Sequence, residues 1–311
     1  MKICVFAGPK SLPPRAGIIV GDSVLEAGPP FDTSGRKEVL SAQEFLDGGP
    51  ELWARSEKMA KSGTPIPLAE VKLLAPLPRP PKILLAIVNT RGMLGGSDVS
   101  LDRPRLDLKA STLVIGPGDA IIAPKEGIRP EVELAAVVGK KLAKATKREA
   151  EDGIFGYTIF NDVTAPADTK SDSYEAYRRD PQTNQIRKTT VRGPLFRSKN
   201  HDTFGPMGPF IVSSDELGDT GSLRLTTKFN GETIQDGNTS EYIFTPEEIA
   251  SYASRFLTLF PGDLVSCGSV GWVQSMLEGV DPSQWVLPSR DGELELTIEG
   301  IGTLRNRVVP E

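Results

Sequence analysis

The stretch PEVELAAVVGK, residues 130–140, decides how the rest of the chain is read. Its apolar run, rich in valine and bounded by Pro130 and Gly139, has the length and composition of a buried strand. Glu131 and Glu133 stand two apart at its head, so strand alternation points both carboxylates to one face. Like charges forced together on a partly buried strand are costly unless one is protonated or a cation neutralises both. Asp162 closes a second apolar strand, residues 157–161, and is placed to supply a third oxygen ligand. Three carboxylates without histidine or thiolate suit Mg2+, Mn2+ or Ca2+ rather than zinc. From spacing alone another arrangement is equally consistent: Glu131 and Glu133 on the wet face of an edge strand, paired with Lys140 or Lys141.

Working outward, residues 82–88 read as a buried strand, and Thr146-Lys147-Arg148-Glu149 is a capping box for a short helix ending by Gly153 or Gly156. Residues 223–229 and 232–235 flank Asn230-Gly231, a two-residue hairpin signal. Thr245-Pro246-Glu247-Glu248 combines an N-cap, a proline at the first helical position and a glutamate at the third. Ile249, Tyr252, Ala253, Phe256 and Leu257 follow at helical spacing, and Pro261-Gly262 ends the helix. Leu294, Leu296 and Ile298 alternate with Glu293, Glu295 and Thr297 in a half-exposed strand that turns at Glu299-Gly300. Near the start, short apolar runs alternate with turns, and Ser41-Ala42-Gln43-Glu44 is another capping box. Pro76, Pro78, Pro80 and Pro81 interrupt regular structure. The expected fold is therefore mixed α/β and strand-rich, with a small N-terminal domain over residues 1–74 and a larger one over 75–311.

Composition narrows the chemistry. The 311 residues are 38% hydrophobic and 25% charged, with a formal net charge of -5, which does not suit nucleic acid as a partner. No apolar stretch approaches a membrane span, and MKICVFAGPK is too weakly apolar for a secretory signal, so a cytoplasmic protein is expected. Cys4 and Cys267 form neither a disulfide framework nor a thiolate metal site. His201 is the one histidine, and no GxSxG, Walker or GxGxxG motif is present. Chemistry must come from carboxylates, a lysine, backbone groups and a hard cation.

PEVELAAVVGK followed by GYTIFNDVTA resembles the segment of the fumarylacetoacetate hydrolase family in which a Glu-x-Glu pair and the Asp of an Asn-Asp dipeptide hold the metal. The likeness continues in order through SKNHDTFGPMGPFIV, FNGETIQDGNTSEYIF, LFPGDLVSCGS and IEGIGTLRNRV, covering roughly residues 75–309. It implies the family's β fold in the larger domain, a homodimer, Mg2+ or Mn2+ on Glu131, Glu133 and Asp162, and a small anionic substrate. Lys199 corresponds to the family lysine near the metal, and Cys267-Gly268-Ser269 stands where a Thr-Gly-Thr-like element contacts substrate. Lys199 and Ser269 are expected catalytic helpers; Asn89, Arg91, Gln235 and Gly268 are expected substrate contacts. Against these stand a solvated loop lysine at 199 and a small buried residue at Cys267.

The sequence also departs from the family. Hydrolytic members carry Asn-Tyr-x-x-His-x-x-Glu, whose His-Glu dyad activates water; here Met93 and Gly96 take those positions, and neither accepts a proton. Pro166 replaces the family's arginine after the metal aspartate. His201 is a substitute base or a histidine packed near a turn; Asp98 is another candidate. Residues 163–199 hold eight Lys/Arg and four Asp/Glu, a lid for an anionic substrate or a solvated loop, with Tyr174, Tyr177, Arg178 and Arg179 as candidate contacts. The expected activity is metal-dependent hydrolysis of a carbon-carbon bond in a small 2-oxo acid or 1,3-dicarbonyl compound. The same site used for dehydration, decarboxylation or isomerisation through an enolate is the alternative, and a non-catalytic metal-binding protein the third.

Overall fold

The computed structural model describes residues 1–8, 14–27, 41–60, 63–94, 100–278 and 285–311. Val132–Val138 lies at the centre of a sheet and is buried along its whole length. Leu134, Ala136 and Val138 face one core and Ala135 and Val137 another, which is why the run is apolar at every position rather than at alternate ones. Ile154–Asn161 pairs antiparallel on one side and Leu264–Ser269 on the other. The latter is joined in parallel by Ile83–Ile87, which pairs with Arg105–Lys109.

Beyond Ile154–Asn161 comes Gly205–Ser213, then Lys2–Ala7, Arg15–Val20, Ser23–Glu26 and Ile66–Pro67. The described strands within residues 1–74 thus extend the large sheet through Lys2 opposite Val212, and Ile3, Ile18, Phe45 and Leu46 share one core with Leu85, Val137 and Phe160. A second sheet, in the order Glu232–Asn238, Arg224–Phe229, Gly292–Ile298, Gly302–Pro310 and Ala120–Ala123, covers the other face. Its Leu225, Leu294 and Leu296 meet Leu134, Ala136 and Ile159.

The turn at Asn230-Gly231 has φ of 50° and 83°, as a two-residue hairpin with both central residues left-handed requires. Glu149 and Glu44 accept from the backbone N–H of Thr146 and Ser41 at 2.7 Å, closing both capping boxes. The helix Pro246–Ser254 stops short of Phe256 and Leu257, which the helical spacing had included; Phe256 is 75% exposed and lies outside the core. The basic segment folds as a helix, Pro166–Ser171, a two-stranded arm, Tyr174–Arg179 with Ile186–Val191, and a single helical turn, Phe196–Lys199. No helix among the described residues is long and apolar enough to cross a membrane.

Candidate metal centre

The antiparallel strands Val132–Val138 and Ile154–Asn161 end side by side, with Val132 opposite Asn161. Asn161 Oδ1 accepts from the Glu131 N–H at 2.9 Å, and the Asp162 N–H donates to the Glu131 carbonyl at 3.0 Å. That junction brings Glu131, Glu133 and Asp162 together: each offers a carboxylate oxygen within 4.8 Å of the others, and all three are buried.

Glu133 accepts from Ser266 Oγ at 2.6 Å and from the Gly268 N–H at 3.0 Å. Gly268 has φ of 97°, and a Cβ there would lie 2.8 Å from that of Asn89, so only glycine fits without movement. Asn89 lines the adjoining cavity, but its amide is committed to the fold: Nδ2 donates to Phe244 O and Cys267 O, and Oδ1 accepts from the Phe244 N–H.

Two ammonium groups hold the acidic cluster. Lys199 Nζ donates to Glu131 Oε2 at 2.7 Å and to Asp162 Oδ2 at 2.5 Å. Lys109 Nζ donates to Asp162 Oδ1 at 2.5 Å and to the Val163 carbonyl at 2.9 Å. Burial opposes charge on Lys199, yet the carboxylates of Asp162, Glu131 and Glu133 outweigh it and raise its pKa well above the ordinary lysine value. For Lys109 burial wins: its pKa falls to about 8, Asp162 restoring part of the loss and the charge of Lys199 adding to it. Burial would raise the pKa of Asp162, but Lys109 and Lys199 hold it below the ordinary value. Glu133, desolvated and facing Asp162 and Glu131, is pushed up to about 8.

An all-oxygen, buried, like-charged donor set of this kind fits a hard divalent cation. One of its carboxylates holds a proton near neutrality, and a cation would relieve the same repulsion. Lys109 has no counterpart among the residues singled out from sequence. In Arg105–Lys109 it alternates with Leu106 and Leu108 as a solvent-facing residue would, and only the pairing with Ile83–Ile87 carries it inside.

The cluster opens into a cavity of about 750 Å³, whose lining also includes Lys199, Ser269, Asn89, Met93, Glu126, Arg129, Pro166, Lys170 and Arg192. Ser269 Oγ accepts from Gln235 Nε2 at 2.9 Å. Gln235 is fully buried and does not line the cavity; its Oε1 accepts from the Val132 N–H and from Thr227 Oγ1, so it ties the strand Val132–Val138 to the second sheet. Gly268 lies behind the wall, its N–H committed to Glu133. Arg91 is exposed, donating to Ser240 O, and is not part of the lining. Tyr174, Tyr177, Arg178 and Arg179 are exposed on the arm and are not among the lining residues. His201 is also outside the cavity: its Nε2 meets Asp168 Oδ2 at 2.6 Å and its ring lies against Phe204. Gly96 and Asp98 fall outside the described residues. Cys267 is fully buried, and desolvation pushes its thiol far above the ordinary value, which makes it a packing residue.

The family model described as fumarylacetoacetate (FAA) hydrolase C-terminal matches residues 91–309. The chain belongs to the fumarylacetoacetate hydrolase family. Among its relatives it is 30% identical to a mitochondrial oxaloacetate tautomerase of Bos taurus over 317 residues, 99% of this chain and 92% of the other. It is 32% identical to a maleylpyruvate hydrolase of Aquipseudomonas alcaligenes over 330 residues, 98% of each. The crystal structure of a 5-carboxymethyl-2-hydroxymuconate delta-isomerase from Mycobacterium smegmatis superposes with a TM-score of 0.71 at 27% identity, covering 100% of this chain and 99% of that one. The family relatives compared are thus enzymes with tautomerase, hydrolase and isomerase names.

Proposed function

We propose that this family member is an enzyme that forms the enolate of a small 2-oxo acid, interconverting keto and enol forms without hydrolysis. The observation that carries it is Met93, which lines the same cavity as the acidic cluster, stands where the resemblance places the histidine of hydrolytic members, and cannot activate water. Glu131, Glu133 and Asp162 would hold Mg2+ or Mn2+, and such a cation polarises a 2-oxo carbonyl as a Lewis acid. Lys199, kept protonated by three carboxylates, stabilises the negative charge that develops on the carbonyl oxygen. Ser269, its hydroxyl set by Gln235, orients the substrate carboxylate. Glu126 is the described lining carboxylate outside the cluster and takes the proton from C3. In that step the C3–H bond breaks, its electron pair forms the C2–C3 double bond, and the carbonyl pair moves onto oxygen; protonation there gives the enol.

A second activity, hydrolysis of a carbon-carbon bond, is favoured by the full-length likeness to a maleylpyruvate hydrolase. Incubating the Mn2+-loaded protein in D2O with oxaloacetate, maleylpyruvate and acylpyruvates separates the two. The tautomerase outcome is deuterium entering C3 faster than with Mn2+ alone and no gain of water in the product mass. Cleavage products carrying added water would replace our reading with the hydrolase one, and no turnover with metal bound would leave a metal-binding protein without catalysis. Family membership also supports a homodimer, and the two free, buried cysteines suit a reducing compartment such as the cytoplasm.

A further inference from the structure

We infer that Lys170 and Arg192 form a second anion-binding subsite in the same cavity, which selects 2-oxo dicarboxylates over monoanionic 2-oxo acids. This rests on the reading above that the acidic cluster takes a cation and a 2-oxo carboxylate. Both residues are exposed on the cavity lining, one on the helix Pro166–Ser171 and the other just after the strand Ile186–Val191. Ser173 ties the two elements together: its Oγ donates to the Thr169 carbonyl at 2.9 Å and accepts from the Gly193 N–H at 3.1 Å. A Cβ on Gly193 would lie 2.6 Å from the backbone of Asp172, so the chain after Arg192 is seated directly on the end of that helix.

The nearby acids do not neutralise this pair. Asp172 is taken by Arg197, whose Nη2 donates to Oδ1 at 2.7 Å and Nε to Oδ2 at 3.2 Å. Asp168 is taken by His201 at 2.6 Å and by Arg197 Nη1 at 3.3 Å. The side chains of Lys170 and Arg192 make no hydrogen bond or ion pair with another described residue. The charges of the cavity then point to the ligand. Three cluster carboxylates against Lys109 and Lys199 leave one negative charge, a divalent cation makes it one positive, and the 2-oxo carboxylate answers that. Outside the cluster, Lys170, Arg192 and Arg129 against Glu126 leave an excess of two positive charges on the lining, and a second carboxylate at the far end of the substrate would answer part of it.

The test is calorimetric, on the Mn2+-loaded full chain, with 3,3-difluoro-oxaloacetate, which cannot enolise, its C4 methyl ester, and pyruvate. The wild type is expected to bind the diacid about tenfold more tightly than the ester, the order set by two partly exposed charge contacts. The double substitution Lys170→Ala with Arg192→Ala should erase that preference and leave pyruvate binding unchanged, while Lys170→Arg with Arg192→Lys should keep it. A preference that persists in the alanine variant, or that the wild type lacks, overturns the subsite. Failure of pyruvate to bind the Mn2+-loaded wild type overturns the parent reading and the subsite with it.

Discussion

Binding of a divalent cation should expel a proton from Glu133. Its carboxyl is pushed up to about 8 by burial and by the charges of Asp162 and Glu131, so at about pH 6 it holds a proton that the cation must displace. Each unit below that pKa weakens apparent affinity roughly tenfold, about 1.4 kcal/mol, so Mn2+ should bind roughly a hundredfold more weakly at about pH 6 than on its plateau above pH ~8. Calorimetric titration in two buffers of different ionisation enthalpy counts the proton, about one per ion at the lower pH. Lys109, with a pKa near 8, adds a proton release of the same sign. Glu133→Gln should therefore bind more weakly and keep only the lysine's part of the pH dependence. In the metal-free protein, a carboxyl whose pKa rises from 4.5 to about 8 on folding holds a proton between those values that the unfolded chain has lost. Stability should fall as pH rises through that window. Above about 8 Lys109 reverses the trend, because the unfolded chain then holds the proton that folded Lys109 has released. A pH-independent Mn2+ affinity with no buffer-dependent heat would refute this account of the cluster.

Lys199→Met should lower kcat by roughly a hundredfold or more, since it removes the group that meets the developing enolate, while calorimetry still shows Mn2+ binding. Glu126→Gln should slow deuterium exchange at C3 on the order of a hundredfold with Mn2+ affinity unchanged; unchanged exchange would remove Glu126 as the proton acceptor. Gln235→Leu strips acceptors from the buried Val132 N–H and Thr227 hydroxyl and should cost about 2–3 kcal/mol in denaturant unfolding, with a loss of ordered Ser269 seen as a raised KM.

The buried strand with its two glutamates was legible because its information is local. Two glutamates at strand spacing ahead of an unbroken apolar run specify both a shared face and burial, and Asn230-Gly231 specifies a backbone conformation that few other dipeptides adopt. The helix after Thr245 was over-extended because apolar spacing continues through Phe256, whereas its exposure depends on which surface of the sheet the chain has reached by then. His201 illustrates the same limit: adjacency to Lys199 in sequence set it near the cluster, but the turn after Phe196–Lys199 sends its ring to Asp168.

What the sequence by itself determined was that three carboxylates stand at the ends of two apolar strands, and that position 93 is a methionine, which accepts no proton. Only the tertiary structure decided what surrounds that set. Lys109 reaches Asp162 across 53 residues, and Gln235 reaches Val132 across 103, through sheet pairings that no local pattern encodes. The physical reason is that backbone periodicity reports which face a residue takes, while the partners on that face are chosen by the packing of the two sheets.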